Sequence, residues 1–341
     1  MAASFSDMGR IEAIEALYRI SAYSPASPLS FRPDRGARVT GAARTYLEGI
    51  HFNLVYFPLK HLGYKCVVGV TGELYATLAH PKLLHVVLGI SAKLDFPQVK
   101  ELWSGITAAA REHGYEALSL DLQPSANGLC ISLSATGETA LLTDKRRPAA
   151  ATKDLVCVSG SLGAAFLGLQ VLERGLRHFE AHGAQPDMAQ YRMLVGAYLK
   201  PELDASVVTR LEEAQICPSL GYFVDKGLSE ALKRLSRDSG LGVKVYADKI
   251  PFEGNSFALG RELDMDPVSA AMNGGDDNRL LFVVPILQLE HFRREFQTFD
   301  IIGHLARKEV GTVLVTPEGV EFPVKAQGWP DEQTESSTNN S

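Results

Sequence analysis

The sequence has few cysteines, no excess of positive charge and no long apolar run, and each shortage argues against a class of protein. The four cysteines are scattered without a Cys-x-x-Cys pair, so we expect reduced thiols rather than a zinc or dithiol site. A net charge of −6 disfavours a general nucleic-acid-binding protein. No apolar stretch reaches the ~20 residues of a membrane helix, and the N-terminus lacks a signal peptide's apolar core. We therefore expect a cytoplasmic protein that contacts neither nucleic acid nor membrane.

The length and composition predict more than one hydrophobic core. With 341 residues and 45% hydrophobic content, the chain has the material for two α/β domains. We place the boundary in the polar stretch at 141–153, which predicts domains over 1–148 and 149–330. The polar residues 331–341 predict a disordered tail.

The first half alternates helices with strands after an irregular start. Apolar residues recur at helical spacing over 9–20, whereas the proline- and arginine-rich residues 21–44 predict a loop. Beyond it, one predicted helix begins at Pro58 and a second covers 96–114. The predicted strands cover 82–91, 116–123 and 128–138. The helix from Pro58 contains three glycines, which indicate close packing against another element. The pattern predicts a sheet with helices on one face.

The second half opens with a strand, a glycine turn and a helix. A strand over 154–160 leads to a helix that we expect Ser161 to cap, and that helix extends to a glycine at 183. The further predicted helices lie near 187–198, 203–215 and 227–240. The further predicted strands lie at 220–224, 243–247, 279–285, 299–305 and 311–316.

Several collinear segments between about 44 and 330 resemble those of thiamine-monophosphate kinases. They are EGIHFNLVYFPLKHLGYK (48–65), VSGSLGAAFLGLQVLE (158–173), NGGDDNRLLFVVP (273–285), IIGHL (301–305) and VKAQGWP (324–330). The resemblance implies the two-domain α/β fold of the aminoimidazole ribonucleotide synthetases. It also implies a homodimer whose N-terminal mixed sheets join in a barrel. The family reaction uses ATP and Mg²⁺ to convert thiamine monophosphate to thiamine diphosphate. Carboxylate-held Mg²⁺ suits that reaction, because phosphoryl transfer depends on charge neutralisation.

The acidic motifs of that family are largely altered in this sequence. The paired aspartates of the first motif, GDDAA, have no counterpart in the arginine-containing stretch 24–36. In AARTYLEGIHF, Arg44 stands where the resemblance places a metal-binding aspartate, and in FVDKGL the residues Phe223 and Lys226 replace two more. Ser161 replaces the aspartate of TGDLG. A cation at position 44 would repel Mg²⁺.

A few acidic positions persist, and the resemblance assigns them roles. Glu73 and Asp121 keep an acid where the family has a metal ligand, with Asp121 also on the nucleotide side. Asp225 replaces a serine and is expected near the nucleotide, together with Arg147 from the basic linker.

Other persisting positions match residues that contact the substrate in the family. They are His51, Asp276 and Trp329. The alternative without a functional role is that His51 and Trp329 are packing residues and that the charged side chains of the basic linker are simply exposed to solvent. We also expect His61, within the family-like helix, to be structural.

Three functional hypotheses remain open from the sequence. The protein is a pseudoenzyme that binds a nucleotide or a small phosphorylated metabolite, or it is an active thiamine-monophosphate kinase that works through Asp121 and Glu73. A third hypothesis is a different chemistry on the same fold. Likewise, Arg44 and Lys226 either form a new anion site or reflect drift after loss of activity.

Overall fold

The computed structural model describes residues 9–26, 28–184 and 186–329. The predicted disordered tail over 331–341 lies outside these residues. These residues form two mixed sheets with helices packed against them, which confirms the predicted α/β class.

The first half is a four-stranded sheet. Its strands are β1 (Arg38–Leu47), β2 (His80–Ser91), β3 (Ala117–Ser125) and β4 (Cys130–Thr139). They lie in the order β1-β4-β2-β3, with β2 and β3 parallel and the other neighbours antiparallel. The helices of this half are α1 (Arg10–Tyr18), α2 (Leu59–Ala76), α3 (Phe96–Glu112) and α4 (Leu141–Arg146). Apolar side chains of α2 and α3 form one core with the inward faces of β2, β3 and β4.

Helix α2 lies between the two sheets, and its glycines allow the close approach on both sides. A Cβ at Gly63 would lie 2.2 Å from the carbonyl oxygen of Leu102 in α3. A Cβ at Gly72 would lie 2.0 Å from the ring of Phe223 in the second half. The prediction that these glycines mark close packing is confirmed.

The second half is a seven-stranded sheet. Its strands are β5 (Leu155–Ser159), β6 (Leu220–Val224), β7 (Gly242–Tyr246), β8 (Arg279–Val284), β9 (Phe299–Ala306), β10 (Thr312–Val315) and β11 (Glu321–Pro323). They lie in the order β11-β10-β7-β9-β5-β8-β6, and only β7 and β10 are parallel neighbours in this described sheet. The helices are α5 (Ala164–His182), α6 (Arg192–Leu199), α7 (Val207–Glu213), α8 (Leu228–Ser239), α9 (Ser256–Leu263), α10 (Pro267–Asn273) and α11 (Leu289–Glu295).

Two local predictions were wrong, and the stretch 141–153 that holds the predicted boundary contains the short helix α4. The stretch 21–44 was expected to be a loop, but its last seven residues begin β1, an edge strand paired on one side with β4. Ser161 does not cap α5, which begins after Gly163; instead the buried Asp277 accepts hydrogen bonds from the N–H groups of Gly163 (2.8 Å) and Ala165 (3.3 Å).

The two sheets fall on either side of the predicted boundary at residue 148, but their hydrophobic clusters cross it. Leu172 and Tyr198 belong to the cluster of the first sheet, while Val68 and Tyr75 of α2 belong to a cluster of the second. The division into two domains therefore stays a prediction.

Candidate ligand-binding site

A cavity of about 640 Å³ lies where β1 and α2 meet the β6–α8 and α10–β8 connections of the second half. It is lined by Thr40, Gly41, Ala42, Ala43, Arg44, Thr45, Tyr46, His51, Glu73, Thr77, Asp225, Lys226, Arg234, Asp276 and Asn278. The structure thus brings together four residues that the sequence nominated: His51, Glu73, Asp225 and Asp276. It also places Arg44 and Lys226, the cations at positions where the resemblance implies aspartates, in the same cavity.

The guanidinium of Arg44 joins two of the cavity's carboxylates. Its Nη1 donates to Asp225 Oδ2, and its Nη2 donates to Glu73 Oε1 at 2.9 Å. Burial alone would lower the pKa of Arg44, but Asp225 and Glu73 outweigh it and raise that pKa, so the side chain remains cationic. The side chain of Asp225 is only 8% exposed. Any metal ion at these carboxylates would have to displace a paired guanidinium.

Phe223, at a third position where the resemblance implies an aspartate, is part of the hydrophobic core. Its side chain is fully buried in the cluster that includes Val68 and Tyr75 of α2. The guanidinium of Arg44 lies 5.6 Å from the centre of the ring, within cation–π range. An apolar ring offers no oxygen ligand to a hard cation such as Mg²⁺.

Asp121 lies apart from this cavity. It is on β3, at the opposite edge of the four-stranded sheet from β1, and it does not line the cavity. Its carboxylate accepts a hydrogen bond from Gln123 Nε2 at 2.7 Å and lies 3.4 Å from Arg10 Nη1. In residues 9–26, 28–184 and 186–329, no group of three or more His, Cys, Asp or Glu side chains is placed to hold a metal ion. The residues of one chain therefore do not fit the Mg²⁺ that the resemblance implies, and ligation by Glu73 together with Asp121 stays a prediction.

Asp276 is held at the cavity wall by a buried lysine. Lys65 Nζ, on α2, lies 3.3 Å from Asp276 Oδ2 and 3.7 Å from the ring centre of Tyr198. Burial lowers the pKa of Lys65 although Asp276 opposes that shift. The backbone N–H of Asp276 donates to the carbonyl oxygen of Asp225 at 2.6 Å. These contacts couple the two connections that carry the cavity's acids.

Three side chains at the cavity have hydrogen-bond donors that are available to a ligand. His51 Nδ1 accepts the N–H of Leu47 at 3.0 Å, so in the neutral ring Nε2 carries the proton and can donate to a ligand. Lys226 is exposed and has no carboxylate within 4.0 Å in the part of the chain that is described. Arg234 lies 3.9 Å from both Glu73 and Glu230, too far for short hydrogen bonds. These donors are therefore positioned to contact an anion in the cavity.

The two remaining residues that the sequence analysis assigned to the site, Arg147 and Trp329, do not line the cavity. Arg147 Nη2 donates to the carbonyl oxygen of Thr77 at 2.8 Å, just beyond the end of α2, and Thr77 itself lines the cavity. Trp329 packs against Arg237 of α8, with the guanidinium 5.4 Å from its ring centre. Arg147 is thus at the rim, whereas Trp329 is an aromatic contact on the outer surface of α8.

Sequence reasoning missed Lys65, Arg234 and Asp277. Lys65 is a single charge in an otherwise apolar helix, and Arg234 sits on an amphipathic helix, so both resembled ordinary solvated side chains. Asp277 is fully buried, and burial raises its pKa to about 7 although the N–H groups of Gly163 and Ala165 favour the ionised form. Its position inside the segment NGGDDNRLLF was the only signal available.

Comparison with known proteins identifies the class. Residues 28–139 match the family described as AIR synthase related protein, N-terminal domain. Over 283 residues the chain is 24% identical to a thiamine-monophosphate kinase of Aquifex aeolicus, covering 83% of this chain and 84% of that one. It is 22% identical over 292 residues to a putative hydrogenase expression/formation protein of Methanocaldococcus jannaschii, covering 82% and 81% of the two chains.

Solved structures share the fold. The thiamine-monophosphate kinase of Stenotrophomonas maltophilia superposes with a TM-score of 0.71 at 23% identity, covering 90% of this chain and 95% of that one. AaThiL complexed with AMPPCP and TMP has a TM-score of 0.70 at 19% identity, covering 94% and 99%. The protein thus has the AIR synthase-like fold. These similarities support the resemblance to thiamine-monophosphate kinases noted in the sequence.

None of the described helices is both long and apolar enough to cross a membrane.

Proposed function

We propose that this homologue of thiamine-monophosphate kinases is a pseudoenzyme that binds a nucleotide or a small phosphorylated metabolite in the cavity between its halves. The observation that carries the proposal is the position of Arg44, whose guanidinium pairs with both Glu73 and Asp225. Glu73, one of the two predicted metal ligands, and Asp225 therefore already have a counter-ion.

The charges in the cavity disfavour phosphoryl transfer. Phosphoryl transfer from ATP depends on metal ions that bridge and neutralise phosphate oxygens, and carboxylates normally hold those ions. Here the Arg44 guanidinium takes that place between Glu73 and Asp225, and Phe223 fills the volume beside it. The same cations that exclude Mg²⁺ favour a phosphorylated ligand.

The ligand's phosphate would be bound by side chains of this chain. Lys226 and Arg234 supply positive charge, and His51 Nε2 supplies a directed donor. Hydrogen bonds from charged donors to phosphate are about twice as strong as neutral ones. Retention of the phosphate then requires no metal.

A turnover assay and a binding assay test the proposal together. Purified protein with ATP, Mg²⁺ and thiamine monophosphate is expected to form no thiamine diphosphate above a no-enzyme control. Calorimetric titration with ATP and with thiamine monophosphate, in EDTA, is expected to detect binding of at least one of them. Lys226→Met is expected to weaken that binding at least fivefold, whereas Lys100→Met, an exposed lysine on α3, leaves it unchanged. Mg²⁺-dependent product formation would refute the pseudoenzyme.

The alternative is an active thiamine-monophosphate kinase, which the names of the relatives favour. It would use Glu73 and Asp121 to hold metal. Under our proposal Arg44→Asp alone restores no turnover, because Phe223 still occupies its buried site and the loop at 24–36 has no paired aspartates. Measurable activity in that single variant would favour the alternative.

We also propose that the protein forms a homodimer through the open face of the four-stranded sheet. That face points away from α2 and α3 and carries hydrogen-bonded polar pairs, Thr45 with Ser132 and His85 with Ser119. Val39 and Val87 remain 48% and 40% exposed. Light scattering behind size-exclusion chromatography is expected to give about twice the 37.1 kDa chain mass, and Val87→Asp to give monomer. A wild-type monomer at micromolar concentration would refute the dimer.

A further inference from the structure

Lys65 is a buried cation on α2 that the proposed function does not use. Its side chain is only 4% exposed, and most of its buried neighbours along the helix are apolar. The ammonium lies over two aromatic rings, 3.7 Å from the ring centre of Tyr198 and 5.5 Å from that of Phe57. Both rings are themselves buried, so the charge is held away from water.

Packing alone does not account for a charge in this position. Taking an ammonium out of water costs free energy that one ion pair repays only in part, and burial lowers the pKa of Lys65. A methionine of similar length would pack against the rings of Tyr198 and Phe57 without that cost. The charge of Lys65 is therefore better explained by its action on another group.

Asp276 is the one carboxylate that lies within 4.0 Å of this ammonium in the described part of the chain. Lys65 Nζ is 3.3 Å from Asp276 Oδ2. The side chain of Asp276 is 40% exposed and lines the cavity, whereas Lys65 does not line it. The lysine thus contacts this carboxylate from its buried side and leaves the second oxygen, Oδ1, for a ligand.

The backbone of Asp276 is fixed as well. Its φ of 64° lies in the left-handed region, which residues other than glycine rarely adopt. Its N–H donates to the carbonyl oxygen of Asp225 at 2.6 Å, and its own carbonyl oxygen accepts a hydrogen bond from Asn278 Nδ2 at 2.5 Å. With the backbone held in this way, the contact with Lys65 restrains the remaining freedom, which is the rotation of the side chain.

The aromatic rings around Lys65 also reach a second part of the cavity wall. The hydroxyl group of Tyr198 donates to the carbonyl oxygen of His51 at 3.4 Å, and His51 lines the cavity. Lys65 and Tyr198 therefore lie behind two residues, His51 and Asp276, for which the sequence predicts contact with a ligand.

We propose that Lys65 is a positioning residue for ligand binding, whose ammonium fixes the Asp276 carboxylate so that its free oxygen accepts a hydrogen bond from an N–H or O–H group of the ligand. This inference rests on the proposed ligand-binding function of the cavity, and it adds a residue outside the lining on which affinity depends. A fixed acceptor favours binding, because the rotational freedom of the side chain is lost before the ligand arrives.

Calorimetric titration with ATP and with thiamine monophosphate, both in EDTA, tests Lys65 by a double-mutant cycle. Lys65→Met is expected to weaken the binding of a probe that the wild type binds by about fivefold or more. In the background of Asp276→Asn, the same change is expected to alter affinity by less than about twofold, because no carboxylate remains to be positioned. The matched control is Lys200→Met, which removes an exposed lysine that lies over the ring of Tyr64, and it is expected to leave affinity unchanged.

Crystal structures of the wild type and of Lys65→Met, both without ligand, test the positioning directly. The Asp276 carboxylate is expected to leave its wild-type orientation, or to become disordered, in the variant. Should Lys65→Met fail to fold, Lys65→Leu takes its place in both experiments with the same expectations.

The outcomes separate the role of Lys65 from that of the cavity. An Asp276 carboxylate that keeps its orientation in the variant would overturn the inference, and so would a comparable loss of affinity in the control. An equal loss in the Asp276→Asn background would overturn it too, because Lys65 would then act by long-range charge or packing.

Two further results distinguish the two proposals. If Lys65→Met binds like the wild type while Lys226→Met binds more weakly, the inference about Lys65 fails and the cavity proposal stands. If the wild type binds neither probe, the cavity proposal fails, and the two crystal structures decide whether Lys65 positions Asp276.

Discussion

The ring of Phe223 occupies the space that a side chain at Gly72 would need. A Cβ on Gly72 would lie 2.0 Å from Cε2 and 2.3 Å from Cδ2 of that ring, well inside van der Waals contact. The pair joins α2 to β6 beside the candidate site, so a position where the resemblance implies an aspartate is here part of the packing between the two halves.

Gly72→Ala is expected to destabilise the protein by about 1–3 kcal/mol, the usual cost of overpacking a core. Urea unfolding followed by circular dichroism would measure the change. Gly196→Ala in α6 is the matched control, because a Cβ there meets nothing within 4 Å, and the higher helix propensity of alanine should leave stability equal or up to ~1 kcal/mol higher. If both variants behave alike, the contact between Gly72 and Phe223 is not tight.

Arg44→Met is expected to lower the free energy of unfolding by about 2–3 kcal/mol at pH 7. The substitution leaves the nearly buried Asp225 without its counter-ion, and Glu73 keeps only the more distant Arg234, at 3.9 Å. We expect less than the ~3–5 kcal/mol typical of a fully buried pair, because Glu73 is 26% exposed. Arg293→Met, on the surface of α11, should cost less than about 1 kcal/mol. A variant as stable as the wild type would show that the carboxylates do not depend on Arg44.

His113 is expected to make the protein less stable in mild acid. It is buried against Tyr75 with Nδ1 at 3.0 Å from the hydroxyl oxygen, and burial lowers its pKa to about 4. Between pH 6.5 and 4 the unfolded chain binds a proton that the folded chain does not, so this contribution is present above pH 6.5 and is lost as pH falls. The stability advantage over His113→Gln should shrink by about 1–2 kcal/mol from pH 7.5 to pH 5. An advantage independent of pH would contradict the neutral, buried ring.

Asp277 should act in the opposite direction over a similar range. Because burial raises its pKa to about 7, the folded chain retains a proton between about pH 4 and pH 7 that the unfolded chain releases. Its contribution to stability is therefore largest at the acid end and declines as pH rises. Relative to Asp277→Asn, the wild type should lose about 1–3 kcal/mol between pH 5 and pH 7.5. An increase over that range would mean that the N–H groups of Gly163 and Ala165 keep the carboxylate ionised.

The sequence was informative where local pattern and packing agree. Helix α3 has a capping box between Asp95 and Gln98 and a glycine just past its end at Gly114, so its bounds were predictable. The glycines of α2 signalled close packing correctly, although nothing in the sequence indicated that Phe223 was the partner of Gly72. That contact depends on how the two halves meet.

Other features could not be predicted from the sequence because they depend on tertiary contacts. Strand β1 is an edge strand with alternating exposed and half-buried residues and few large apolar side chains, so it resembled the loop before it. The acids Glu73 and Asp121 aligned with one metal site, yet they lie on different sides of the first half. Residues 249–278 had no assigned elements, and there the short helices α9 and α10 form.

Helix α2 packs against both halves of the molecule, and this limits how the cavity between them can open. Thirteen of its 18 residues are buried, against the first sheet on one side and the second sheet on the other. A hinge that swung the halves apart would strip apolar surface from one of those faces, at about 25 cal/mol for each Å² exposed. Under the proposed function, a ligand would therefore enter by rearrangement of side chains at the mouth of the cavity, and not by a hinge motion of the two halves.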